Sequence, residues 1–172
     1  SGTNVEVTTQ ADAANYGSTG SGTGNITVSS AINATSAAGL SLTADGTVTL
    51  NALVSVGGNV SITTTGLSGT GGIALGSGKS LTVNQSGNST YSGVVSGQGA
   101  SLVKQGAGAL TLSADHSYTG STTISDGALQ VGNGGGTGSL ATSDVVNNGN
   151  LVFYTGSDKA IPYAISGSGS AT

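Results

Sequence analysis

What most limits the folds open to this chain is a beat of very short apolar segments. Two or three Val, Leu or Ile residues stand at alternate positions, Gly, Ser, Asn or Asp intervene, and the pattern starts again. Leu40/Leu42, Val60/Ile62, Leu81/Val83 and Leu102 open successive segments 20 or 21 residues apart. Alternation with period two puts the apolar residues on one face of an extended strand and the intervening Thr or Ser on the other. Val54/Val56, Ile73/Leu75, Leu110/Leu112, Leu129/Val131 and Leu151/Phe153 repeat the device. No such segment is long enough to fold alone, so each needs a like neighbour above and below it. Self-similarity at a fixed short period marks a stack of coils.

Two further periods can be read. Val5/Val7, Ile26/Val28 and Val48/Leu50 form a second series, spaced by 21 and 22 residues. A shift of 70 residues lays Leu40-Ser-Leu42-Thr-Ala-Asp45 over Leu110-Thr-Leu112-Ser-Ala-Asp115, and Leu81 over Leu151. About eight coils at about 4.8 Å each would make a rod of about 40 Å. Its narrow interior is expected to hold Val, Leu, Ile and Ala, with no room for large aromatics. Asn51, Asn59, Asn84 and Asn133 flank strands and are candidates for hydrogen-bonded ladders. Pro162 is expected at a turn or an edge. Residues 16–24 read as a loop, and the Ala-rich residues 31–39 as a strand and turn rather than a helix.

Composition removes several classes. Gly is 32 of 172 residues and charged residues make up 6%, against about 25% in an ordinary domain. Disordered chains are rich in charge and proline, whereas this one has a single Pro and a regular alternation. No stretch shows a capped helical period. A net charge of −4 with three Lys and no Arg speaks against nucleic acid and against polybasic membrane attachment. No apolar run approaches the roughly 18 residues of a membrane span, so no direct membrane insertion by this segment is expected. Without Cys there are no disulfides or thiolate metal sites. The chain begins at Ser1 rather than Met, which reads as a single segment, residues 1–172, taken from a longer secreted protein.

Candidate chemistry is thin. Glycoside cleavage needs two carboxylates about 5–9.5 Å apart, and the acids are Glu6, Asp12, Asp45, Asp115, Asp126, Asp144 and Asp158. Asp45 and Asp115, matched by the 70-residue shift, would lie about 15 Å apart in a stack, too far for a pair. Asp115-His116 with Asp126 is the one local cluster containing a titratable base; the competing reading is a solvated turn. The calcium roll requires Gly-Gly-x-Gly-x-Asp, but Gly135-Gly136-Thr137-Gly138-Ser139 runs into Leu140. Gly78-Lys79-Ser80 lacks the upstream Gly of a phosphate loop. No catalytic, cofactor or metal residue is therefore assigned, and no enzyme activity is expected. Five Asn-x-Ser/Thr triplets, at Asn25, Asn33, Asn59, Asn84 and Asn88, are about what so Ser/Thr-rich a chain would hold by chance. Outward Thr27, Thr47, Thr49, Thr63, Thr82 and Thr111 raise ice binding, yet variable coil length argues against a flat lattice. Tyr16, Tyr91, Tyr118, Tyr154 and Tyr163 are too unevenly spaced for one sugar-stacking platform.

The clearest stretch is residues 101–134. Its Leu102-Val-Lys104, Gly106-Ala-Gly108-Ala-Leu110-Thr-Leu112, Tyr118-Thr-Gly120, Thr123-Ile124 and Gly127-Ala-Leu129-Gln-Val131-Gly132 resemble the autotransporter-associated β-strand repeat of Gram-negative passenger domains. Residues 144–169, with Asn147-Asn-Gly-Asn-Leu151 and Ile165-Ser-Gly-Ser-Gly169, resemble the lead-in to a further copy. Residues 1–100 are similar in style to filamentous-haemagglutinin-like adhesins. The resemblance implies an all-β, right-handed parallel β-helix on a secreted protein displayed at the outer membrane. It implies virulence-associated adhesion, aggregation or biofilm formation, with host or bacterial surface proteins or glycans, or a second copy, as partners. Such a repeat belongs to the stalk, so a pure spacer presenting a distal toxin or effector tip is the alternative, and a polysaccharide-cleaving β-helix the third.

Overall fold

The computed structural model describes residues 5–9, 24–34 and 37–172. The loop expected at residues 16–24, with Asp12 and Tyr16, lies outside the described residues apart from Gly24. Every named strand pair is parallel, and no helix occurs among the described residues. The chain winds as a β-solenoid of about seven turns, roughly 21 residues per coil.

Three faces enclose the core. The first is an eight-stranded sheet of Val5–Thr9, Leu40–Ala44, Val60–Thr64, Ser80–Gln85, Ser101–Gln105, Thr122–Ile124, Asp144–Asn147 and Ala164–Ser166. The second begins with Ile26–Val28, Thr47–Leu50 and Gly66–Ser68. It continues, across a bridge between Gly69 and Tyr91, through Ser89–Tyr91, Ala109–Leu112, Ala128–Val131, Asn150–Phe153 and Ser170–Ala171. The third face is shorter: Ile32–Ala34, Val54–Val56, Ile73–Leu75, Val95–Gly97 and Ser117–Tyr118.

The alternation read from sequence sets the register. Leu40, Val60, Leu81, Leu102, Thr122 and Val145 stand in one inward column of the first face. Slipping any strand by one residue would turn this column to solvent, so the register is strongly specified. The second series holds only in part. Ile26 does pair with Val48, but Val5 pairs with Leu40, so the first coil is 35 residues long and Val5 belongs to the first face. The 70-residue shift is likewise not a structural repeat. It equals three coils and one further face, because every face uses the same apolar-x-apolar strand. Leu40–Ala44 lies on the first face and Ala109–Leu112 on the second. Asp45 and Asp115 therefore occupy different corners, and the equivalence drawn from the shift does not hold.

The expectation that large aromatics are excluded is overturned. Tyr91 and Tyr118 are fully buried, the largest such side chains among the described residues. Tyr91 follows Gly69 in its column and Tyr118 follows Gly97. The Tyr91 ring ends against Gly93, where a Cβ would lie 2.7 Å from the ring's Cζ, so a bare residue there leaves it room. The Tyr91 hydroxyl donates to the Gly71 carbonyl, and the Tyr118 hydroxyl shares a 2.7 Å hydrogen bond with Thr122 Oγ1.

Polar groups also enter the core, at the corner between the first and second faces. There the chain turns between strands, and side-chain donors add to the backbone hydrogen bonds that continue from coil to coil. Thr64 Oγ1 donates to Gly46 O at 2.8 Å. Gln85 Nε2 reaches Gly87 O and Ala109 O. Lys104 Nζ reaches Gln105 O at 2.8 Å and Gly106 O at 2.7 Å. Asn147 Nδ2 donates to Ser170 O at 2.7 Å. All four side chains are buried, and each finds its hydrogen-bond partners among the carbonyls of the turn; Gly46 O accepts from the Thr65 N–H as well. Burial holds the Lys104 amine below its ordinary value, against the opposing pull of Asp126.

Candidate functional site

The regular prism ends on one side only. After Ser117–Tyr118 the third face has no further strand. Residues 132–143 and 154–163 pass that side as loops, and of the sequence candidates Asp115 contacts both.

Asp115 turns outward at the corner between the second and third faces, where it organises the glycine-rich loop. Its Oδ1 accepts from the Ser139 hydroxyl at 2.7 Å and the Gly138 N–H at 3.1 Å. Lys159 Nζ reaches the same oxygen from two coils further on, at 3.4 Å. The Ser139 hydroxyl above all, with Lys159 and the Gly138 N–H, holds the carboxyl below the usual carboxylate range against the opposing effect of desolvation. Gly138 and Ser139 thus anchor the end of the glycine-rich run to a carboxylate of the chain itself.

His116, next in sequence, points inward, so the solvated-turn reading fails for it. It is 3% exposed and stands above Val95, whose N–H donates to its Nδ1 at 3.0 Å. An accepting Nδ1 places the ring proton on Nε2, which finds no partner. Burial pushes the imidazole down to about 4, the nearby Asp115 charge opposing. Asp126 belongs to another corner, between the first and second faces, and accepts from the Gly127 N–H at 2.7 Å. The structure does not bring Asp115, His116 and Asp126 together as an acid–base set. Asp115 faces the loops, His116 the core, and Asp126 the opposite turn.

The other sequence candidates disperse as well. Asn59 Oδ1 accepts from the Ser80 N–H at 3.1 Å, one coil on, and Asn25 and Asn88 do the same for Thr47 and Ala109. Asn133 instead closes its own loop on Gly135. All five Asn of the Asn-x-Ser/Thr triplets are exposed. The outward column of the first face reads Ser41, Ser61, Thr82, Val103, Thr123, Val146, a mixture rather than a threonine lattice. Tyr154 is exposed and Tyr163 half-buried, whereas Tyr91 and Tyr118 are enclosed in the core, so the tyrosines present no common surface. Pro162 lies exposed in the loop before Ala164.

Sequence reasoning missed one feature. A cleft of about 60 Å³ opens between the two loops, walled by Val131, Leu140, Phe153, Ile161 and Tyr163, with Lys159 its one charged lining residue. Its signal in the sequence is the break in alternation from Tyr154 to Tyr163, which holds the chain's only Pro.

Stacked parallel coils with interior corner polar groups define the class, a three-faced β-solenoid. Residues 102–131 match the family model described as Passenger-associated-transport-repeat, the repeat of autotransporter passengers. The match begins on the first face at Leu102 and ends on the second at Val131, more than one full coil. No curated protein and no solved structure matches the chain. The repeat and the solenoid together fit an autotransporter passenger stalk.

Proposed function

We propose that this chain is an adhesive stalk segment of a protein displayed on the surface of a Gram-negative bacterium, contacting surface proteins, glycans or a second copy of itself. One observation carries the reading: the passenger repeat is built into an unbroken eight-stranded parallel ladder that runs the length of the described coils. Such a ladder is stiff, because each coil is held by its neighbours through hydrogen bonds and column packing. Its work would be many weak contacts along a rod, whose effective strength grows with their number.

The test displays the protein on cells and exchanges residues 40–131 for an equal number of coils from an unrelated solenoid. Loss of cell aggregation and of surface attachment, with display level unchanged, is the expected result. Full retention of both would leave only the spacer role.

A further inference from the structure

The cleft beside Lys159 has a definite chemistry, independent of the stalk reading. Its walls are aliphatic and aromatic, and Ile161 is 43% exposed although it lines the cleft. At about 60 Å³ it is less than half the size of the roughly 150 Å³ cavity that admits a benzene ring. It has room for one branched alkyl group and not for a sugar or an aromatic ring. Because the cleft is shallow, whatever carries that alkyl group continues outside it.

Charge narrows the choice further. The chain has three lysines and a net charge of −4, and Lys104 is buried. Lys159 is therefore one of only two lysines that reach the surface. Its ammonium is poorly engaged: 3.4 Å from Asp115 Oδ1 and 3.3 Å from Gly138 O. Charge-assisted hydrogen bonds to a carboxylate close to about 2.7–2.9 Å. Asp115 meanwhile keeps two shorter partners, Ser139 and Gly138, so it does not depend on Lys159.

We propose that this cleft binds the C-terminal residue of a partner polypeptide ending in Val, Leu or Ile. The side chain sits against Val131, Leu140, Phe153, Ile161 and Tyr163, and the terminal carboxylate pairs with Lys159. Capture of a chain end by a cation beside an apolar slot is a recurring recognition mode, and a single seated residue gives modest affinity suited to multivalent contact.

The experiment titrates the isotope-labelled chain with acetyl-Gly-Gly-Ser-Val bearing a free carboxylate, reading amide shifts by NMR. Saturable shifts confined to Leu140, Phe153, Thr155 and Ile161 are expected. The same peptide with a C-terminal amide, and the Lys159→Gln protein, should each bind at least about tenfold more weakly. Asp115→Asn keeps an oxygen for Gly138 and Ser139 while releasing Lys159, so it should tighten binding several-fold. Absence of shifts up to about 10 mM, equal shifts with acid and amide, or an unaffected Lys159→Gln protein would each overturn the proposal. So would 3-methylbutanoate binding as tightly as the peptide, since the site would then serve small acids rather than chain ends.

Discussion

Replacing Gly69 by Ala tests how closely one coil sits on the next at the foot of the Tyr91 column. Gly69 has φ of +108° and lies directly beneath Tyr91. A Cβ there would run into the Leu50 carbonyl, 2.6 Å from its carbon, in the coil below. The backbone strain is worth about 1–2 kcal/mol. Moving the Leu50 carbonyl would loosen the bond it accepts from Gly71 N–H at 2.8 Å, about 1 kcal/mol. Crowding of the coil adds about 1–3 kcal/mol. The reduced freedom of the unfolded chain returns less than about 1 kcal/mol, so a net loss of about 2–6 kcal/mol is expected. Two controls separate the terms. Gly78 has φ of +67° but nothing within 4 Å of its Cβ position, and Gly136 meets nothing and has no positive φ. Gly78→Ala should lose about 1–2 kcal/mol, and Gly136→Ala should be neutral or gain up to about 1 kcal/mol. Urea unfolding followed by circular dichroism gives all three midpoints at matched slope. If Gly69→Ala lost no more than Gly78→Ala, the claim that no Cβ fits between Gly69 and the Leu50 carbonyl would be refuted.

Acid should weaken the fold through His116. Its folded value of about 4 lies below the ordinary 6.5, so the unfolded chain takes up the proton first. Stability is then full above about pH 6.5 and falls by about 3 kcal/mol as pH drops to 4; His116→Gln should flatten that part of the urea-midpoint profile. Lys104→Ala removes the donors to Gln105 O and Gly106 O and should destabilise by about 2–4 kcal/mol, against a smaller loss for the better-filling Lys104→Met, read in the same assay. Tyr118→Phe removes the hydroxyl that meets Thr122 and should lower stability by about 1 kcal/mol. Breaking the exposed Lys159–Asp115 pair by Lys159→Gln should change the midpoint by less than about 1 kcal/mol, so a large effect would show that the loops bear on global stability.

Period two and a 20–21-residue return were enough to place Leu40, Val60, Leu81 and Leu102 in one column, because a strand buried on one face can hold only one register. The same economy misled at longer range. All three faces use one apolar-x-apolar strand, so Leu40-Ser-Leu42 and Leu110-Thr-Leu112 look alike while facing different ways. The placement of Tyr91 was hidden because the residues that meet the end of its ring, Gly71 and Gly93, are easily taken for ordinary turn glycines. Asp115 and His116 show the same limit at one-residue scale. Their adjacency suggested a joint role, yet alternation sends one outward and the other into the core. The cleft near Lys159 was illegible because it arises where the pattern stops, from two loops whose contacts no periodicity encodes.

The bonds that join coil to coil run along the stack, parallel to its long axis. A force pulling the two ends apart therefore loads them one coil at a time, beginning at whichever end is freed first. Each coil that peels away gives up roughly 21 residues, about 70 Å of slack, while the coils behind it keep their register. Under tension such a rod would lengthen in steps and rewind when the load fell, behaving as a shock absorber between its two attachments.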